Sequence, residues 1–249
     1  MKVKLLSLAV LAASMNTMAL TPASLPADDV LFISGASAQD KGINEVAASL
    51  CTDTPDFYSD TGSVPGKAYT AIFCTMNDST VPNLAPAATN RKVLIYKRSK
   101  GGSAWGVGPV EAHQSIANML IDNTCTLSSA NHYQCTGTTT MTVDAGMSDV
   151  EPALFRGVNL LEAGIGGVQN GDPGTAPLTQ AQLDRLDKKP TGALTFGVVV
   201  TKTLRDALQV VQFGNGSACV TSDEESCMPS LTKPQIASLF AGTVANWSE

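Results

Sequence analysis

The sequence predicts an α/β protein, a sheet with flanking helices held by three local disulfides. Three observations carry this prediction. Apolar strand-like runs alternate with amphipathic helical patterns, which favours helices laid against a sheet. Several of the apolar runs end in small-residue corners that lead into helices. The six cysteines fall as three sequential pairs separated by long cysteine-free stretches.

Met1 to Ala19 reads as a secretory signal, with Lys2 and Lys4 at its start, the apolar run Leu5 to Ala13, and small residues at Thr17-Met18-Ala19. That run is too short to span a bilayer. The mature chain is therefore expected to be exported, periplasmic or secreted, with no membrane insertion after cleavage. Val30 to Ile33 predicts a buried strand running into the corner Ser34-Gly35-Ala36-Ser37-Ala38-Gln39, and Asp40 to Leu50 continues as an amphipathic helix. Ser37 and Asp40 fit a helix-cap pattern. Thr52 to Asn90 is rich in Thr, Ser, Pro, Asp and Gly and predicts a loop excursion closed by the first cysteine pair.

Lys92 to Tyr96 predicts the next strand, followed by the corner Ser99-Lys100-Gly101-Gly102-Ser103. In 109–121, Val110, Ile116, Ala117 and Leu120 recur at helical spacing, which would put His113 on a helix. Asn123 to Thr140 predicts a hairpin or loop. Met141 to Val143 predicts a strand entering a third corner, Asp144 to Asp149, before Val150-Glu151-Pro152 opens a helical turn. Glu162 to Pro177 is glycine-rich, but it lacks the Gly-Lys-Ser/Thr ending of a phosphate loop and the spacing of a dinucleotide fingerprint, so it reads as a surface loop. Capping boxes stand at Thr179-Gln180-Ala181-Gln182 and Thr232-Lys233-Pro234-Gln235, with a strand predicted between them at Leu194 to Thr201. Ile236, Leu239 and Phe240 form the apolar stripe of the last helix, and Gly242 is its natural stop.

Cys51 with Cys74, Cys125 with Cys135, and Cys219 with Cys227 is the most local pairing of many possible ones, and it suits an oxidising compartment. There is no Cys-x-x-Cys, and His113 and His132 are the only histidines, so a zinc site has little to work with and no cofactor is expected. A net charge of −6 argues against nucleic acid or anionic lipid as a partner. A Gly-x-Ser-x-Gly elbow, a zinc pattern and a Walker motif are all missing, so catalysis is not expected. None of this excludes a small anion held by backbone dipoles. Helix N-terminal amides are unpaired donors with partial positive charge, and Gly, Ala and Ser allow close approach. In an open parallel sheet, ligands sit at the carboxyl ends of strands beside such corners.

The three corners resemble those of phosphate-binding components of ABC importers, within the type-2 periplasmic solute-binding superfamily. Ser34-Gly35-Ala36-Ser37-Ala38-Gln39 is similar to that family's Thr-Gly-Ala-Gly-Ala-Thr start. Ser99 to Ser103 is similar to its Gly-Ser-Ser-Gly-Gly segment, and Gly146-Met147-Ser148-Asp149-Val150 to its Gly-Ala-Ser-Asp-Ala/Val segment. Leu231 to Trp247 resembles its Leu-Thr-x-x-Gln-Leu-x-x-Ile-Phe-x-Gly-x-Ile-x-x-Trp segment. The resemblance implies a two-lobed protein closing on an oxyanion, most simply phosphate, and delivering it to an ABC permease. By this likeness 1–19 is the signal, 20–200 the first lobe with inserted disulfide-bonded loops, and 201–249 a crossover into a second lobe that is incomplete.

The same resemblance places the amides near Ala38 and Gln39, the hydroxyl of Ser103 and the carboxylate of Asp149, with Ser148 beside it, around the anion. A carboxylate accepts a hydrogen bond from protonated phosphate and repels fully ionised sulfate. Two departures stand out. Gln39 replaces the family's hydroxyl residue, and Asp40 replaces the aromatic that follows, so the Asp40 charge must point away from a bound anion. An extracellular structural or adhesive protein reusing the fold is the competing reading.

Overall fold

The runs on either side of the corners become neighbouring strands of one large sheet. The computed structural model describes residues 27–77, 79–82, 90–164, 167–191 and 198–242. The signal segment, Trp247 and residues 194–197 of the expected strand lie outside them. By compactness the chain divides into two units between Pro190 and Thr191.

In the first unit the elements run β1 (Asp29–Gly35), α1 (Asp40–Ser49), β2 (Asp56–Ser59), β3 (Tyr69–Met76), β4 (Arg91–Arg98), α2 (Ala104–Glu111) and β5 (Ser115–Met119). There follow β6 (Thr126–Ser129), β7 (His132–Gln134), β8 (Thr138–Thr142), β9 (Ala145–Met147) and α3 (Gln180–Arg185). Seven strands form a mixed sheet in the order β6-β7-β2-β3-β4-β1-β9, and β5 pairs with β8 in a separate ribbon. At the end that matters for function, β4, β1 and β9 are adjacent and parallel, with Ser34 opposite both Arg98 and Gly146.

Both faces of this sheet are covered, and strand alternation decides what each face meets. Leu94 and Tyr96 of β4 join Phe32, Tyr58 and Tyr133 in one core, against Trp105 and Val110 of α2 and Ile116 of β5. Val93 and Ile95 point the other way and pack with Ile72, Met76, Ala47 of α1 and Leu50. The Cys51–Cys74 disulfide ties the end of α1 to β3, and Cys125–Cys135 closes the β6–β7 hairpin.

The second unit contains α4 (Lys202–Phe213) and α5 (Lys233–Phe240). Thr201 caps α4 by accepting from the Leu204 amide, and the Thr232–Gln235 capping box opens α5. Gln209, fully buried, donates to the carbonyls of Ser222 and Cys227 at 2.9 Å each and accepts from the Thr221 amide. One side chain thereby organises the loop closed by Cys219–Cys227.

Several expectations are corrected. The 109–121 helix is not formed: α2 ends at Glu111, His113 turns the chain with φ 46°, and Ser115–Met119 is a strand whose Ile116 is buried between exposed neighbours. Apolar residues that satisfied a helical spacing there serve a two-residue period instead. Thr52 to Asn90 is not simply an excursion, because it contributes β2 and the long buried strand β3 to the middle of the sheet. Met141 belongs to β8 of the ribbon, and the stretch expected as a third loop contains β9 itself. Residues 198–200 carry no strand. The Ser37–Asp40 cap is not made, since Gln39 holds the N-cap position of α1 without a side-chain cap bond.

Candidate functional site

Because β4, β1 and β9 run parallel side by side, the chain leaves all three at the same edge of the sheet. The corners after them, 36–39, 99–103 and 148–151, therefore lie together, as the sequence reading required of an anion site. Glycine contact fixes their spacing. A Cβ on Gly35 would stand 2.0 Å from the Met147 carbonyl oxygen, one on Gly106 also 2.0 Å from it, and one on Gly146 1.7 Å from the Gly106 oxygen. Helix α2 thus rests backbone to backbone on β1 and β9, which only hydrogen in place of a side chain permits. Gly35 in addition has φ 123°, a conformation that L side chains resist.

In the first corner the Ala36 amide donates to Met147 O at 3.0 Å, which ties the first corner to the third. Ser37 and Ala38 are exposed, and among the described residues no acceptor meets either of their amides. Gln39 is half-buried at the helix entry. Asp40 is 7 % exposed and turned inward: its Oδ1 lies 2.9 Å from Lys97 Nζ, and its Oδ2 accepts from the Ser99 hydroxyl at 2.6 Å. The Asp40 charge is thus turned into the protein and paired there.

In the second corner Ser103 Oγ accepts the Asp149 amide proton at 3.1 Å, and so binds the second corner to the third. Gly101 lies flat against the Trp105 indole, where a Cβ would meet the ring at 2.2 Å, and the Arg98 guanidinium sits 4.3 Å from the centre of that ring. In the third corner the Ser148 hydroxyl donates to Val150 O and accepts from the Val150 amide, closing a local turn. The Asp149 side chain is exposed, and among the described residues its carboxylate has no hydrogen-bond donor.

Beneath the corners lie two buried cations that the sequence reading missed. Lys97 and Arg98 are 2 % and 3 % exposed, and burial lowers the pKa of each. For Lys97 the neighbouring carboxylates of Asp40 and Asp149 oppose that shift. Two cations ending a buried strand immediately before a small-residue corner were the signal that could have found them.

A cleft of 1210 Å³ opens beside the third corner. Its wall includes Ser148 and Asp149 together with the far end of α2 and the segment after α3, whereas Ala38, Gln39 and Ser103 are not part of it. Lys188 bridges it to Glu151 at 3.0 Å, Arg185 is bound to Glu111, and Lys189 lies 2.9 Å from Asp187, so the three cations of its wall are already paired. His113 borders this cleft, while His132 stacks on Phe57 at 5.0 Å. Among the described residues no group of three or more His, Cys, Asp or Glu could hold a metal ion.

No family model, curated protein or solved structure matches the chain. The three disulfides fit an oxidising, extracytoplasmic compartment, and among the described residues no helix is long and apolar enough to cross a membrane.

Proposed function

We propose that this protein is an exported solute-binding protein of the type-2 periplasmic kind, which takes phosphate or a related oxyanion and hands it to an ABC permease. The observation that carries the reading is the convergence of three small-residue corners at the carboxyl ends of adjacent parallel strands; among the described residues the Ser37 and Ala38 amides of the first corner meet no acceptor and the Asp149 carboxylate of the third meets no donor. Amide dipoles supply the attraction, so an acidic chain needs no basic surface to bind an anion. Asp149 supplies the discrimination, since it can accept a proton-bearing phosphate oxygen and meets only repulsion from sulfate. Gln39, Ser103 and Ser148 shape the corners around that ligand. The protein performs no chemistry on its ligand.

Equilibrium dialysis with radiolabelled phosphate tests the reading. Saturable binding that Asp149→Ala abolishes supports it, and no saturable binding by the complete protein removes it. A second reading, an extracellular structural or adhesive protein that keeps the fold without transport, draws on the hydroxyls of Ser103 and Ser148, both engaged in the corners' own hydrogen bonds.

A further inference from the structure

Lys97 closes a buried strand at a place where an ammonium ion is costly unless acceptors surround it. They do. Its Nζ donates to Gly35 O at 3.1 Å, Ala36 O at 3.0 Å, Arg98 O at 3.3 Å and Ser99 Oγ at 2.9 Å, with Asp40 Oδ1 at 2.9 Å. These acceptors outnumber the hydrogens an ammonium carries, so its charge, shared among them, holds the group together. Ser99 accepts from Lys97 and donates to Asp40, which closes a three-membered circuit between the first and second corners.

The carbonyl contacts have a geometric consequence. In a trans peptide unit the C=O and the N–H of the next residue point in opposite directions. With the carbonyls of Gly35 and Ala36 drawn onto Nζ, the amides of Ala36 and Ser37 are turned away from it. The Ala36 amide is taken by Met147 O. Those of Ser37 and Ala38 meet no acceptor among the described residues.

We infer that Lys97 is a positioning residue of the anion site: it pulls two carbonyls inward and thereby aims the Ser37 amide outward at the ligand, while the next carbonyl, Ser37 O, is held by the Asp40 amide. Asp40 neutralises the buried ammonium without competing for the exposed amides. This inference rests on the oxyanion reading above.

The test uses the full chain and inorganic phosphate as the probe. Calorimetric titration is run on the wild type, on Lys97→Met/Asp40→Asn, which removes both buried charges together, and on Lys97→Met alone. Amide proton shifts of Ser37 and Ala38 are followed by NMR, a readout that a purely stabilising role would leave unmoved. The expected result is a double variant that stays folded by circular dichroism, binds phosphate at least about tenfold more weakly, and loses the phosphate-induced shift at Ser37. A folded double variant with affinity within about twofold of wild type overturns the inference and leaves the oxyanion reading standing. A wild type that binds no phosphate overturns both. Should the double variant fail to fold, Lys97→Met alone decides: affinity at least about tenfold weaker than wild type with the Ser37 shift lost supports the inference, and affinity within about twofold overturns it.

Discussion

The Ser103 hydroxyl accepts the Asp149 amide proton at 3.1 Å and so joins two corners that lie 46 residues apart in the chain. The bond fixes where the Asp149 carboxylate stands relative to the helix that starts just after Ser103. Ser103→Ala removes the acceptor but leaves the corner open to water. A stability loss of about 1 kcal/mol is expected in urea unfolding and, on the proposed oxyanion function, a drop in phosphate affinity, because Asp149 is no longer held in place.

The glycine contacts between α2 and the sheet make a sharper prediction. Gly146→Ala puts a methyl group 1.7 Å from the Gly106 carbonyl oxygen, backbone that cannot move without displacing the helix. A loss of about 3 kcal/mol or more is expected. Gly42→Ala on the exposed side of α1 meets nothing within 4 Å and should instead stabilise by about 0.5–1 kcal/mol. Thermal unfolding of the two variants side by side checks the contrast.

Asp56 sets a pH dependence. Burial, with the nearby Asp53 charge adding to it, raises its pKa to about 6. The folded protein therefore holds this proton more tightly than the unfolded chain, whose Asp56 ionises near its ordinary value of 3.8. The stabilisation is complete below that value, falls as pH rises from there to about 6, and is gone above it. Allowing for solvent screening, the change is about 1–3 kcal/mol. Urea unfolding across this range should show the slope in wild type, and Asp56→Asn should remove that part of it.

The disulfide between Cys51 and Cys74 holds the end of α1 against the sheet. Cys51→Ser/Cys74→Ser is expected to cost about 2–4 kcal/mol. Because this bond ties the end of α1 to β3, hydrogen exchange should show faster opening of α1 than of β4 in that variant.

Much of the skeleton around the corners was legible in the residues. Strand, small-residue corner and helix could be read at Val30 to Leu50, because an apolar run, Gly35 and a 3.6-residue pattern each leave a local mark. The three disulfides follow the most local pairing. What could not be read were features set by distant partners. Tyr69–Met76 looked like part of a polar excursion because its flanks are rich in Ser, Pro and Gly, yet pairing with β4 buries it at the centre of the sheet. Ser115–Met119 gave a helical spacing, but pairing with Thr138–Thr142 imposed the strand period. The burial of Lys97 and Arg98 is likewise set by distant partners, the strands and corners that enclose them.

The most direct test of the account is a phosphate titration followed residue by residue through backbone amide shifts. Amides of Ser37 and Ala38, of the turn at Ser103, and of Asp149 are expected to move together along one saturation curve with a common midpoint. Shifts confined to a single corner, or none at any phosphate concentration, would contradict it.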